Sequence, residues 1–281
     1  MPVRARCLPP GWYPGTEAET RRQVRRYLSS LPEIEAQGPS AGTGTAGIVP
    51  HAGWDFSGRI ALDVLRRLEP GLETVIVAGG HLSPRDGIYA APEEEFETPL
   101  GNLSADGEML AALKEETAVQ VDRFPDNTVE IQLPFVKYLF PEARLLYLRA
   151  APNPDAARLG KTLFRIAGAL KRRAVLVGST DLTHYGSAYG FTPRGTGEEA
   201  VRWVKSVNDK KIIDAFLGMD TEAAIRLAQA DRSACSAGGA AAAMAFAAAG
   251  GAAGGRLIRY MTSRDVSPAA SFVGYAGILF G

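Results

Sequence analysis

The chain has few residues suited to conspicuous chemistry: two cysteines and three histidines among 281 residues. Cys7 and Cys235 cannot build a disulfide framework, and neither has a second cysteine at zinc-ribbon spacing. Charge of one sign is not in excess either. The 31 basic residues balance 31 acidic ones, so no global field draws in nucleic acid or an anionic membrane. The stretch from Met1 to Gly15 carries arginines and prolines but lacks the apolar centre of a secretory signal. Long runs of strong hydrophobes are also missing. Ser233 to Gly255 is uncharged, yet it is mostly Ala and Gly, with only Met244 and Phe246 as large apolar residues. A spanning helix draws on Leu, Ile, Val and Phe. We read the stretch as a buried helix with close-packed neighbours, and expect a cytoplasmic protein that binds neither membrane nor nucleic acid.

What is present suits a folded enzyme-sized domain. Hydrophobic residues make up 46% and charged residues 22%, and a chain of this length buries a core without disulfide or metal staples. Short apolar runs predict strands at 47–50, 74–78, 119–121, 144–148, 174–178, 257–261 and 271–280. Helical spacing predicts helices over 59–68, 105–116, 154–171, 198–217, 221–230 and 238–249. Strands alternating with helices imply a layered α/β fold with a mixed or mostly parallel sheet. Without an internal repeat or a Pro/Ser-rich linker, residues 1–281 read as one domain.

The three histidines occupy similar positions. His51, His81 and His184 each lie at or just beyond the end of a strand-like run, where ligands gather in open α/β sheets. Asp181 shares a loop with His184. Cys235 precedes the Ala-rich helix, whose positive end would favour a thiolate. A lone strand-end histidine is usually a satisfied loop residue, but three in equivalent places raise the odds of a shared site. Two imidazoles with a thiolate or a carboxylate suit non-haem Fe(II) or catalytic Zn(II). No HExxH or paired-cysteine spacing fixes the metal.

Other patterns fail their contexts. Gly42, Gly44 and Gly47 match GxGxxG but precede a strand, so the dinucleotide reading is discarded. Ser179 with Asp181 and His184 holds the residue types of a hydrolase triad without the GxSxG elbow. Glu130 follows Asn127 at capping-box spacing and marks a helix start. Arg21, Arg22, Arg25 and Arg26 read as the solvated face of a short helix. Trp12, Tyr13 and Trp54 could wall a pocket, with core packing the alternative.

Taken in order, several fragments resemble the Memo family, within the superfamily of class III extradiol (LigB-type) dioxygenases. They are Gly11-Trp-Tyr-Pro14, Pro50-His51-Ala-Gly53, Phe56-Ser57-Gly58 and Gly79-Gly80-His81, followed by Thr98-Pro-Leu-Gly101. Beyond these come Glu130-Ile-Gln-Leu-Pro-Phe135, Gly178-Ser-Thr-Asp181, His184-Tyr-Gly186, Cys235 and Gly274-Tyr-Ala-Gly277. The resemblance implies a central mixed sheet between helices and a metal set at His51, His81 and Cys235. It also implies Asp181 and His184 as further site residues, with His184 as acid/base, and Glu130, Asn127, Trp54 and Trp12 lining the site. Two positions depart from the pattern. Asp126-Asn127-Thr-Val-Glu130 stands where the family has Glu-His-Ser-x-Glu, and Ser236 follows the cysteine in place of glycine.

By resemblance, the cofactor is Fe(II), with Cu or Zn as alternatives, and the function a metal-dependent dioxygenase or redox reaction on a small molecule. Radical-SAM and AMMECR-type proteins are the implied partners. The competing expectations are a peptide- or protein-binding cleft without catalysis and, further off, a zinc hydrolase.

Overall fold

The computed structural model describes residues 2–34 and 44–281. Gly42 and Thr43 of the glycine pattern lie outside them. The first part of the chain runs β1 (Val3–Arg4), α1 (Glu17–Ser30), β2 (Ala46–Val49), α2 (Arg59–Leu65), β3 (Thr74–Gly79), β4 (Ile88–Ala90), β5 (Glu95–Phe96) and β6 (Leu103–Ser104). The middle adds α3 (Gly107–Glu116), β7 (Val119–Val121), α4 (Asn127–Glu130), α5 (Leu133–Leu139), β8 (Arg144–Ala150), α6 (Pro154–Ala169), β9 (Ala174–Ser179) and β10 (His184–Tyr185). The last part holds α7 (Glu198–Trp203), α8 (Asp209–Leu217), α9 (Thr221–Asp231), α10 (Ala237–Ala249), β11 (Gly255–Thr262) and β12 (Phe272–Phe280).

The large sheet has the order β10-β12-β2-β9-β3-β8-β4-β7, with β11 also paired to β12. Its centre, β2-β9-β3-β8, is parallel. Antiparallel β12 on one side and β4 on the other make the sheet mixed. Strand alternation divides the core. Val75, Val77, Val175, Val177 and Leu145 join α1, α2 and α5 on one face. Ile76, Ala78, Leu176, Leu146 and Leu148 join α6, α8 and α10 on the other.

The Ala/Gly stretch becomes α10, buried along most of its length. Its composition follows from how near its backbone lies to its neighbours. A Cβ on Gly178 would stand 2.5 Å from the carbonyl oxygen of Gly239, and one on Gly239 would overlap the carbonyl of Ala78. Among the described residues, no helix is long and apolar enough to cross a membrane.

Three sequence expectations shift. The helix predicted over 198–217 is interrupted by a wider π-turn at Val204–Asn208. The helix start near Glu130 is capped by Asp126, whose side chain accepts from the Thr128 N–H, and not by Asn127. The two-residue strand β10, too short for any periodic signal, pairs His184 with Val273.

Candidate metal centre

Because β9 lies between β2 and β3, the carboxyl ends of these three strands deliver His51, Thr180-Asp181 and His81 side by side. Gly80 adopts φ +113°, a left-handed backbone that favours glycine, and turns the chain as it leaves β3. Cys235 arrives from the other direction, two residues before α10. Its Sγ lies 3.1 Å from Nε2 of His51. The rings of His51 and His81 stand perpendicular, with centroids 5.0 Å apart. One donor atom from each of His51, His81 and Cys235 falls within 4.8 Å of the others.

The surrounding bonds orient this group. Nδ1 of His51 is 3.2 Å from the buried Ser179 hydroxyl, so Nε2 is the nitrogen that faces Cys235. Ser179 is thereby a partner of the imidazole, and its enclosure leaves no room for a nucleophile's role. The His51 N–H donates to Asp181 at 2.7 Å, and the Asn127 amide donates to the His51 carbonyl at 3.1 Å. Gln132 donates to the Pro50 carbonyl at 2.8 Å. Cys235 is tied back through its N–H to the Asp181 carbonyl at 3.2 Å.

Burial dominates the electrostatics. It holds His51 neutral, with its pKa pushed down to about 3, helped by the nearby His81. It lifts Asp181 to about 6 and lowers His184. Burial also raises the Cys235 thiol, with the Asp181 charge adding to it. Without a metal, then, desolvation outweighs the helix-end effect expected for Cys235, and the thiol keeps its proton.

A cavity of about 480 Å³ opens against His51 and His81, lined also by Trp12, Asn127, Asp181 and His184 among others. His184 turns Nδ1 to the Leu182 carbonyl at 3.0 Å, so a backbone carbonyl orients it, while the Asp181 carboxylate serves His51. Two expected lining residues are placed elsewhere. Trp54 is buried and stacks on Phe135 at 3.8 Å, its indole N–H bonded to the Ile131 carbonyl. Glu130 is turned from the cavity and binds the N-terminal segment, accepting from the Cys7 and Leu8 N–H groups, the Cys7 thiol and the Tyr13 hydroxyl. Arg21 pairs with Glu17 on the surface, while Arg22 and Arg26 border a separate cavity with Trp12 and Tyr13.

Comparison with known proteins matches the sequence to one family. The model of the Memo-like proteins covers residues 7–279. The chain belongs to the Memo family. A MEMO1 family protein from Thermococcus onnurineus is 31% identical, with 99% of each chain covered. One from Pyrococcus abyssi is 32% identical over 84% of this chain and 86% of its own. Another, from Methanopyrus kandleri, is 31% identical over 96% of this chain and 95% of its own.

Sequence reasoning did not single out Asp126, Gln132 or Asp209. Asp209 is buried and accepts from the Thr183 N–H at 3.1 Å and the Tyr260 hydroxyl at 2.8 Å, anchoring the loop that carries Asp181 and His184. Its contacts come from distant parts of the chain, and no local pattern announces them.

Proposed function

We propose that this Memo protein binds a redox-active metal, Fe(II) ahead of copper or zinc, through His51, His81 and Cys235, and transforms a small molecule held in the adjoining cavity. The observation that carries this reading is the convergence of three donors from three separate elements within 4.8 Å, beside a cavity large enough for a ring-sized ligand. Two imidazoles and a thiol form a donor set of intermediate softness that suits these metals and leaves coordination positions open. Bound there, iron or copper would supply a Lewis acid and a centre for electron transfer with O₂.

The protein's own groups complete the site. With Nδ1 turned to a carbonyl, Nε2 of the neutral His184 is free to take a proton from a ligand hydroxyl and return it. Trp12, Phe56 and Tyr189 offer flat apolar walls, and Ser263, Ser267 and Ser271 offer hydroxyls. Among the described residues no lysine or arginine lines this cavity, which suits an uncharged, hydroxylated ring better than a phosphate. The dioxygenase reading follows from the likeness to extradiol enzymes.

The test is metal content per chain after anaerobic purification, for the wild type and for His51→Ala, His81→Ala and Cys235→Ala, followed by O₂ uptake with a panel of dihydroxylated aromatics. Near-stoichiometric iron or copper lost in all three variants, with ligand-dependent O₂ uptake, supports the proposal. A wild type that takes up no metal even on reconstitution overturns it. Zinc-dependent ester hydrolysis without O₂ would move the reading to a hydrolase.

A second reading has an observation of its own. Trp12 also lines a neighbouring groove of about 490 Å³ with Leu8, Pro9 and Phe124, and Phe124 is 64% exposed. This continuous surface suits an extended peptide. Peptide binding that persists in His81→Ala and after metal removal would favour a binding module.

A further inference from the structure

Three consecutive residues at the start of α4 bond to both histidine loops. Asp126 caps the helix, with Oδ1 accepting from the Thr128 N–H at 2.8 Å. Its other oxygen, Oδ2, accepts from the His81 N–H at 3.3 Å and lies 3.7 Å from Nδ1 of the His81 ring. Asn127 donates to the His51 carbonyl at 3.1 Å. Thr128 Oγ1 accepts from the Gly80 N–H at 2.8 Å. The two loops follow β2 and β3, which do not touch, since β9 lies between them. One short segment therefore spans the gap and ties both loops to a common anchor.

The anchor is rigid and charged. Gly79 packs so tightly on Thr128 that a Cβ there would overlap the threonine side chain. The guanidinium of the buried Arg149 lies 3.8 Å from Asp126. The Asp126 carboxylate accepts from the Thr128 N–H, the Thr128 hydroxyl and the His81 N–H, all of them donors. An ionised carboxylate can only accept, so it favours a proton on the imidazole nitrogen that faces it.

We propose that Asp126 is a positioning residue of the metal centre: it holds the proton of His81 on Nδ1 and leaves Nε2 bare for the metal, while Asn127 and Thr128 fix the spacing of the two histidine loops. The inference rests on the metal reading above, but its tautomer claim concerns the metal-free protein. Asp126→Asn is the informative change, because asparagine caps a helix as well as aspartate. Its carbonyl oxygen would serve the cap. Its NH₂ would then face His81, and a donor there demands a bare Nδ1, driving the proton to Nε2.

Two measurements test this. In metal-free protein, ¹⁵N NMR of the histidine rings, assigned with His81→Ala, is expected to show Nδ1–H for His81 in the wild type and Nε2–H in Asp126→Asn. In chelator competition, Asp126→Asn is expected to bind metal about 10- to 100-fold more weakly. A wild-type His81 protonated on Nε2, or a variant within twofold of wild-type affinity, overturns the assignment. If the wild type binds no metal, the metal reading fails, and the NMR result still decides what Asp126 does to His81.

Discussion

Nε2 of His51 and Sγ of Cys235 stand 3.1 Å apart although 184 residues separate them in sequence. Loss of the thiol removes one donor and leaves the scaffold intact. With Co(II) as probe, the wild type is expected to show a sulfur-to-metal charge-transfer band in the near ultraviolet. Cys235→Ser should lose that band and more than tenfold in affinity, with little change in unfolding midpoint. A band that survives in Cys235→Ser would place the thiol outside the coordination sphere.

The position of Cys235 depends on how closely α10 lies on the sheet. Gly239→Ala would press a methyl group into the Ala78 carbonyl, and the helix would have to lift. Overpacking of this kind typically costs about 1–3 kcal/mol. Urea unfolding should show that loss. Metal affinity should fall as well, although residue 239 is itself no ligand; wild-type values for both would mean that the helix has slack.

Asp209 gives the fold a pH dependence of its own. Burial raises its carboxyl to about 6 from an ordinary value of 3.8. Between these values the native state holds a proton that the unfolded chain has released, so this group favours the fold more as pH falls through 6. From pH 7.5 to 5.0 the gain relative to Asp209→Asn is on the order of 1 kcal/mol. Urea titrations of both proteins at the two pH values measure it. Parallel pH profiles would show that the carboxylate is already ionised in the fold.

Glu130 fastens the N-terminal segment that brings Trp12 to the cavity. The carboxylate accepts at 2.9 Å from the Cys7 N–H, 3.0 Å from the Leu8 N–H and 2.8 Å from the Tyr13 hydroxyl. Replacing an acceptor oxygen with an NH₂ in Glu130→Gln sets donor against donor. The expected result is faster hydrogen exchange and proteolysis confined to residues 5–15, with a stability loss of about 2 kcal/mol. Unchanged exchange in this segment would count against the fastening role.

Much of the site could be read in the sequence because strand ends can be. His51 and His81 follow short β-branched runs bounded by proline or glycine, and such runs announce a buried parallel strand. Cys235 is marked locally by its place before the Ala-rich helix, but its membership of the metal set comes from resemblance to a family, since nothing in its neighbourhood says that it will reach His51. The sequence offers Trp54 as a pocket wall for its aromatic ring and Glu130 from a family fragment, but whether an indole or a carboxylate faces a cavity depends on elements far away. Trp54 meets Phe135, and Glu130 meets Cys7. Asp126 was hidden for a different reason. A helix cap is legible locally, but the second oxygen of that cap reaches His81 across 45 residues of sequence.

The insertion of β9 between β2 and β3 also bears on the order in which the molecule can become functional. His51 and His81 leave the ribosome early, but the strand that spaces them begins at Ala174 and the thiol waits until Cys235. Long-range pairings of this kind form late and slowly. A half-synthesised chain therefore holds two imidazoles without the geometry that brings them to the thiol. On the proposed function, an ion would find its full donor set only in a chain whose last third has folded onto its first.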